Sequence, residues 1–258
     1  NSLCNNQIGL QSQEAVASVN NIGGSYKDVS NSAEVEQKIK QESENCDDSE
    51  CDNNISFQTQ NAEAAVNNIG TNVESNFEDV SNSAEVEQKA DQDNIDCDSS
   101  FCSNQIVNQF QVAAAAVTIS GYNYKDVSNS AEVEQKADQD NKDCDASTCE
   151  NFVVFQGQEA EAVNEIGGGG NGNYKDVSSS AEIEQKAEQN NEDCKVGSEC
   201  TNTIGVIDGE TSLGGQQQSA SAANLIGGGD GNYKDVSTSA EVEQKADQQN
   251  EDCKGSEC

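Results

Sequence analysis

Eleven cysteines and several clusters of carboxylates are the residues of this chain with the most distinctive chemistry. Regularly spaced cysteines in a chain of 258 residues without histidine are typical of a disulfide framework in an oxidising compartment. A Cys-x4-Cys spacing without histidine is a poor match to a zinc site. The sequence therefore predicts disulfides in an extracellular or cell-surface protein.

The spacing leaves two disulfide pairings open. In one, each Cys-x4-Cys (x5 at Cys194/Cys200) closes on itself, which leaves Cys4 alone. In the other, each repeat is tied end to end. We prefer the second, because in four of the five repeats the midpoint falls in a Gly- or Asn-containing segment where a reversal would bring the ends together. Closing about 40 residues stabilises by about 3–4 kcal/mol. The expected pairs are Cys4–Cys46, Cys51–Cys97, Cys102–Cys144, Cys149–Cys194 and Cys200–Cys253, and Cys258 is then left either for a bond between chains or as an unpaired thiol.

Two aspartate-rich stretches have a spacing that suits Ca²⁺, which prefers oxygen ligands. Neither is an EF-hand, because the Gly at position six and the Glu at position twelve are missing. A solvated acidic loop is the alternative interpretation, since charge runs are usually solvated. Ca²⁺ is the one cofactor that we consider, and its candidate ligands are Asp91, Asp93, Asp96, Asp98, Asp138, Asp140, Asp143 and Asp145.

Other functions are poorly supported by composition. The chain has neither histidine nor arginine, and its carboxylates repeat instead of converging, so we do not expect an enzyme. A net charge of -35 argues against nucleic acid and anionic membranes as partners, and no apolar stretch is long enough for membrane insertion. Asn1 is not a translation start, so we expect a secreted, processed product. Asn54 begins the single N-x-Ser/Thr sequon and is a candidate glycosylation site.

The cysteines belong to a repeat that occurs five times. Each copy runs from Gln-x-Gln-x-Ala through a Gly/Asn-rich patch to an aromatic residue, which lies 20 residues before a cysteine in every copy. The patch varies in length while its flanks do not, as expected for a loop between two regular elements. The repeats are 1–51, 52–102, 103–149, 150–200 and 201–258.

Both arms of the repeat are predicted to be strands, because residue types alternate with period two. In the second copy, Gln58, Gln60, Ala62 and Ala64 form one face of the first arm, and Val80, Asn82, Ala84, Val86, Gln88 and Ala90 form one face of the second. A helix capped by Ser83, with a Glu85–Lys89 pair, is the alternative for the second arm. Stacked copies would align the first-arm glutamines in an inner ladder. These are Gln11, Gln13, Gln58, Gln60, Gln109, Gln111, Gln156, Gln158, Gln216 and Gln218.

One repeat is too small to bury a core, so the copies must stack. The expected fold is all-β: a tandem array of five disulfide-stapled β-arches or hairpins, stacked as a β-solenoid or a cross-β assembly. The ends of such an array are open sheet edges, and the chain has no proline to blunt them.

The Gln-x-Gln-x-Ala rungs, rich in Gln, Asn, Gly and Ala, resemble those of curlin-like proteins and of amyloid-like extracellular fibre or sheath subunits of prokaryotes. The cysteine staples depart from the curlin pattern. The resemblance implies a secreted subunit that polymerises with copies of itself by edge addition. We therefore predict a structural subunit of a self-assembling extracellular filament or sheath, and a Ca²⁺-dependent repeat adhesin or surface-layer module is the alternative.

Overall fold

The computed structural model describes residues 3–69, 76–167, 172–195, 197–205, 215–227 and 232–251, with the side chains of 215 and 216 excepted. In these residues every regular element is a β-strand. The strands are β1 (Leu3–Ile22), β2 (Tyr26–Ser43), β3 (Glu50–Ile69), β4 (Asn76–Asn94), β5 (Phe101–Ser120), β6 (Asn123–Asn141), β7 (Thr148–Gly167), β8 (Asn173–Asn191), β9 (Glu199–Ile204), β10 (Gly215–Gly227) and β11 (Asn232–Asn250).

The strands form two parallel sheets. The first sheet has the order β1-β3-β5-β7, with β9 and β10 both paired to β7, and the second has the order β2-β4-β6-β8-β11. Each repeat thus contributes one level, or rung, to each sheet, and hydrogen bonds join neighbouring repeats. This is a β-solenoid-like stack of arches, as predicted. Hairpins and the helical alternative are excluded, because the arms of one repeat lie in different sheets and the second arm is a strand.

Equivalent residues of successive repeats lie side by side. Cys4 pairs with Cys51, and Tyr26 pairs with Phe77 across the second sheet. The register is preserved because a slip by one residue would turn every buried side chain outward. Most differences in repeat length fall between the two strands of a rung, where the Gly/Asn-rich patch lies. The fifth repeat also differs between β9 and β10, since Gln216 lies 16 residues after the preceding cysteine and the other copies have 7.

The core lies between the two sheets and is filled by the predicted inner faces. Gln58, Gln60, Ala62 and Ala64 are fully buried, and so are Val86 and Gln88 of the facing sheet. Alanines from both sheets form the centre of this core, because small side chains allow two sheets to approach closely. At the arch, the aromatic residues stack with ring centroids 5.8, 5.6, 5.2 and 4.9 Å apart, in the order Tyr26, Phe77, Tyr124, Tyr174 and Tyr233.

Buried amides form hydrogen-bonded columns along the stack. In the glutamine columns each Nε2 donates toward the β1 end, as from Gln109 to Gln58 (2.8 Å) and from Gln135 to Gln88 (3.0 Å). In the inner asparagine columns each Nδ2 donates toward the β11 end, as from Asn53 to Asn104 (3.0 Å). Because a buried amide without a partner is costly, these columns oppose any shift of one rung against the next.

Aspartates with a left-handed backbone bend the second sheet beside the aromatic column. Asp28, Asp79, Asp126, Asp176 and Asp235 have φ between 52° and 55°, and the strand pairing passes over them. Aspartate and asparagine tolerate this conformation better than most residues do. The aspartate of the Asp-Val-Ser segment therefore has a backbone role in every rung.

The disulfides differ from the end-to-end pairing that we expected. The structure pairs cysteines within each Cys-x4-Cys or Cys-x5-Cys segment, with Cα atoms 6.0 to 6.5 Å apart, and Cys4 is a free thiol rather than a disulfide partner. The pairs are Cys46–Cys51, Cys97–Cys102, Cys144–Cys149 and Cys194–Cys200.

The physical reason is the parallel stack. Closing an arch brings Cys46 near Cys4, but Cys51 lies beside Cys4 in the next rung. The midpoint of a repeat predicts where the chain turns, but it does not distinguish Cys4 from Cys51 as the partner of Cys46. Each bond closes a short loop, so in the chain-entropy model it is worth about 2 kcal/mol instead of about 4.

Candidate assembly interface

Among the described strands, none pairs with the outer edge at either end of the stack, so these ends are open sheet edges. β1 and β2 are the terminal strands at one end, and β10 and β11 are the terminal strands at the other. A terminal strand carries a row of backbone N–H and C=O groups directed away from its sheet, and such a row is a template for another strand. The ends are therefore the part of the fold most suited to binding a strand from another molecule.

The strands at opposite ends of the second sheet are almost identical in sequence. Residues 26–38 and 233–245 share 12 of 13 positions and differ only at Asn31 and Thr238. Adjacent rungs within the molecule are no more alike, since 26–38 and 77–89 share 11 of 13. The β2 edge of one copy is thus as good a partner for β11 as the strand that β11 already contacts.

The β11 end exposes residues that are buried in the middle rungs. Tyr233, Val236 and Val242 are 48%, 40% and 48% exposed, whereas the equivalent Tyr174, Val177 and Ile183 are at most 1% exposed. At about 25 cal/mol per Å² of apolar area, covering these side chains would favour association. A rung from a second copy, paired with β10 and β11, would cover these three side chains.

The amide columns continue in the correct sense across such a junction. Gln248 donates its Nε2 to Gln189 Oε1 at 2.8 Å, which leaves its own Oε1 on the side of the open end. At the other end, Gln41 Oε1 accepts from Gln92 at 2.7 Å, and the Gln41 Nε2 donates to the carbonyl of Asn6 at 2.8 Å. In the next rung, the Gln92 Nε2 donates to two acceptors at once: the Gln41 Oε1 and the carbonyl of Asn53, which is the residue equivalent to Asn6. A head-to-tail copy would therefore place an amide donor over an amide acceptor.

Two inner columns of the first sheet do not match at the ends. Val19 of a second copy would meet Asn224, and Asn21 would meet Ile226. The same changes occur inside the molecule, where Val117 lies beside Asn164 and Asn68 lies beside Ile119. There the Asn164 Oδ1 and the Asn68 Nδ2 are buried without a hydrogen-bond partner. The fold already accommodates this mismatch, at a cost.

Like charges stack on the outer face of the second sheet. Two columns consist of glutamate in all five rungs, and a third consists of lysine. The columns are Glu34, Glu85, Glu132, Glu182 and Glu241; Glu36, Glu87, Glu134, Glu184 and Glu243; and Lys38, Lys89, Lys136, Lys186 and Lys245. Partial burial, and then the neighbouring glutamates, raise the pKa of Glu132 and of Glu134. A junction between copies would extend each column and add to this repulsion.

Ion pairs within each rung offset part of that repulsion. Lys89 contacts Asp91 at 3.0 Å, Lys136 contacts Asp138 at 2.7 Å, and Lys245 contacts Asp247 at 2.7 Å. Surface ion pairs of this kind contribute about 0–1 kcal/mol each and weaken with salt. In the described residues, Lys38 alone contacts members of the glutamate columns, Glu36 and Glu87, so these columns are only partly neutralised.

The structure does not gather the predicted Ca²⁺ ligands around one point. Asp91, Asp93, Asp138 and Asp140 lie on the outer face of the second sheet, while Asp96, Asp98, Asp143 and Asp145 lie in the loops that follow. Asp96 and Asp143 have φ of 60° and 55°, so their recurrence before cysteine is explained by the backbone. Asp138 and Asp140 line an open groove of about 590 Å³ together with Glu188 and Asp247.

In the described part of the chain, one group of three carboxylates has oxygen atoms within 4.8 Å of one another: Glu78, Asp79 and Asp126. Lys125 contacts two of them, at 2.6 Å from Glu78 and 3.0 Å from Asp126. The lysine ammonium already supplies positive charge to this group. Two groups of close sulfur atoms consist of disulfide cysteines only.

The remaining predicted residues fall in three places. Asn54 lies on the outer face of the first sheet, where its Nδ2 donates to Gln105 at 2.8 Å, a bond that a glycan on this nitrogen would break. Gln216 lies in β10, but its side chain is outside the described residues, as are Cys253 and Cys258. The other predicted glutamines of the first arm lie in the inner columns.

The columns of the second sheet that contain Gln41 and Asn94 were missed from the sequence. Both lie beyond the Val-Ser-x-Ser-Ala motif, in a segment that varies between copies. Their signal was the continued alternation: Gln92 and Gln139, and Asn94 and Asn141, recur at equivalent positions. These four side chains are fully buried.

No helix in the described residues has the length and apolar character needed to cross a membrane. Comparisons of the chain with family models, with curated proteins and with solved structures give no match.

Proposed function

We propose that this protein is the structural subunit of an extracellular filament or sheath, and that subunits add head to tail through their open edges. The near-identity of the terminal strands β2 and β11, at opposite unpaired ends of the second sheet, carries this proposal. Four disulfides in the described residues support an oxidising, extracellular setting. The resemblance to curlin-like and sheath subunits is consistent with the same role.

Charge sets the conditions for assembly. A junction places Glu241 and Glu243 beside Glu34 and Glu36 of the next subunit, at the rung spacing of about 4.8 Å. High ionic strength screens this repulsion, because the Debye length falls to about 3 Å at 1 M salt. We therefore expect assembly in high salt or mild acid and dispersal in low salt at neutral pH.

The test is a variant that blocks one end only. Val242→Lys places a charge in the junction core at a side chain that is 48% exposed in the free chain, so the subunit itself should fold. Ser239→Lys, on the outward face of the same strand, is the matched control. In electron micrographs at high salt, wild type and the control should form filaments, and Val242→Lys alone should not.

Because Val242→Lys keeps its β1/β2 end, it should also terminate growing wild-type filaments. Mixed at a tenth of the wild-type amount, it should shorten them, and Ser239→Lys should not. Wild-type chains that stay dispersed in both high salt and mild acid would contradict the proposal. Ca²⁺-dependent changes in such dispersed chains would favour the adhesin alternative.

A further inference from the structure

A column of sulfur atoms lies where the chain passes from the second sheet of one rung to the first sheet of the next. Each of the four described disulfides joins the last cysteine of one rung to the first cysteine of the following rung. Neighbouring bonds are close, since the sulfur atoms of Cys46, Cys97 and Cys102 lie within 4.8 Å of one another. Every junction between two rungs of the molecule is therefore closed by one S–S bond.

Cys4 lies at the open end of this sulfur column. It occupies the position of the first cysteine in each later rung, and those four cysteines are bonded to the rung before them and at most 2% exposed. They are Cys51, Cys102, Cys149 and Cys200. Cys4 packs against the same column, but it is a free thiol and only half-buried. Among the described strands, it alone of the five has no rung before it to supply a partner.

At the opposite end, the fifth rung keeps the register that leads to the matching cysteine. The amide N–H of Cys194 donates to the carbonyl of Glu251 at 3.2 Å, and the equivalent bond runs from Cys46 to Ile95 at 3.3 Å. Ile95 and Glu251 each lie two residues before the last cysteine of their rung, which for Glu251 is Cys253. Cys253 itself lies outside the described residues, and the rung matches the others up to Glu251.

We propose that Cys4 forms a disulfide with Cys253 of the preceding subunit, so that each head-to-tail junction is covalently closed. The inference rests on the proposed end-to-end assembly, because a preceding subunit is what brings a rung to the open side of β1. In such a stack, Cys253 and Cys4 have the relation of Cys46 and Cys51, whose Cα atoms are 6.0 Å apart. That separation suits a disulfide. The junction thus repeats the bond found between the rungs of one molecule.

This bond can form by thiol–disulfide exchange. Cys258 follows Cys253 by five residues, as Cys51 follows Cys46, so the spacing predicts a Cys253–Cys258 bond in a free chain. The Cys4 thiolate attacks the Cys253 sulfur, the bond from Cys253 to Cys258 breaks, and Cys258 leaves as a thiolate that takes up the proton lost by Cys4. One S–S bond forms and one breaks, so no oxidant is consumed. The free thiol moves from Cys4 to Cys258.

The experiment examines filaments assembled from the oxidised chain in high salt, with free thiols then blocked by alkylation. Denaturant without reductant should release a series of covalent multimers of the 27.3 kDa chain, and reductant should convert them to single chains. Peptide mapping should find Cys4 linked to Cys253 and the alkyl group on Cys258. In the unassembled chain, the alkyl group should be on Cys4.

A pair of variants separates the bond from the assembly. Cys4→Ser leaves the strand edges unchanged, so it should still form filaments in electron micrographs, but denaturant without reductant should release single chains only. Asn5→Ser introduces the same side chain at the next position of β1, which is exposed. This control should give the same multimers as wild type.

Three results would overturn the covalent junction. Filaments whose Cys4 is alkylated, or linked to Cys46 of its own chain, contradict the bond and leave end-to-end assembly intact. Cys4 linked to Cys4 places like ends together and contradicts the head-to-tail order. Chains that stay dispersed in high salt and in mild acid contradict the assembly, and the covalent junction fails with it.

Discussion

The second sheet presents nearly the same outward residues in every rung, whereas the first sheet changes its outward residues from strand to strand. In the second sheet, Glu34 and its equivalents are glutamate in all five rungs. The equivalent of Ser12 in the first sheet is threonine, phenylalanine, glycine and glutamine in the next four. The inner glutamines of both sheets recur in every rung. Stacking is thus specified from the inside, and the outer surfaces are left to differ in function.

The inner columns show a smaller contrast of the same kind. Gln37 and its equivalents are glutamine in every rung of the second sheet, while the first sheet exchanges valine for asparagine between Val117 and Asn164. This exchange leaves the buried Asn164 Oδ1 without a partner, and the exchange of Asn68 for Ile119 leaves the buried Asn68 Nδ2 without one. We expect inner substitutions and changes of pH to alter stability most through the second sheet. We expect the first sheet to contain the positions where a substitution can increase stability.

The largest expected effect is in the middle of a second-sheet column. Gln135 donates to Gln88 at 3.0 Å and accepts from Gln185 at 2.8 Å, and all three are fully buried. Gln135→Ala removes both bonds and leaves a cavity, so we expect a loss of about 3 kcal/mol. The measurement is the denaturant midpoint of the oxidised chain.

The control for this change is Gln105→Ala on the outer face of the first sheet. Its side chain is half-buried and makes a bond to Asn54 only at the surface. We expect a loss of at most about 0.5 kcal/mol. Equal midpoints for the two variants would mean that inner amides do not specify the stack.

A smaller effect concerns pH. Burial and neighbouring glutamates raise the pKa of Glu132 and Glu134, and burial raises that of Asp140 to about 6. A carboxyl whose pKa is higher in the folded state destabilises the fold at neutral pH, and this penalty disappears as the pH falls below the unfolded value. The melting temperature should therefore rise by a few degrees as the pH is lowered from 7 to 5.

Below pH 5 the melting temperature should fall as the pH is lowered further. Lys125 lowers the pKa of Glu78, and the bond from Lys175 lowers that of Asp176, so these groups lose their contribution as they become protonated in stronger acid. Glu132→Gln/Glu134→Gln should be more stable than wild type at pH 7 and should flatten the rise. Glu161→Gln, on the exposed face of the first sheet, should leave the rise intact. A melting temperature that falls steadily from pH 7 to pH 5 would contradict this account.

The smallest expected effect is a gain of stability in the first sheet. Asn68 is fully buried and its Nδ2 has no partner, because Ile119 occupies the next rung. Asn68→Ile extends the column of Ile119 and Ile166 and removes the unpaired Nδ2. It also removes the Oδ1 that accepts from Asn21 at 2.9 Å, but Asn21 is half-buried on the terminal strand, where water can replace this acceptor. We therefore expect a net gain of at most about 1 kcal/mol. Asn67→Ile, one residue away on the outer face, should give no gain. A destabilised Asn68→Ile chain would mean that the site cannot accept the larger side chain.

The fold was largely accessible from the sequence. Alternation with period two placed Gln58, Ala62 and Val86 on buried faces, and the variable Gly/Asn patch marked the corner of each arch. The second arm is a strand despite its helix propensity, because period-two alternation places Glu85 and Glu87 on the outer face and Val86 between them in the core. Local pattern was sufficient here, since each rung repeats the same alternation.

The interface was less accessible, because it depends on which rungs become neighbours. Stacked like charges such as Glu85 over Glu132 appear only when the strands are parallel and in register. The same geometry decided that Cys46 bonds to Cys51 rather than to Cys4.

The opposed directions of the amide columns have a consequence for the ends of a stack. Every primary amide carries a dipole, and a column of aligned amides acts as a partial charge at each of its two ends, as the peptide dipoles of a helix do. The inner glutamines donate toward β1 and the inner asparagines toward β11, so the two sets oppose each other. The end of a stack therefore carries a smaller partial charge than it would if all the columns pointed the same way.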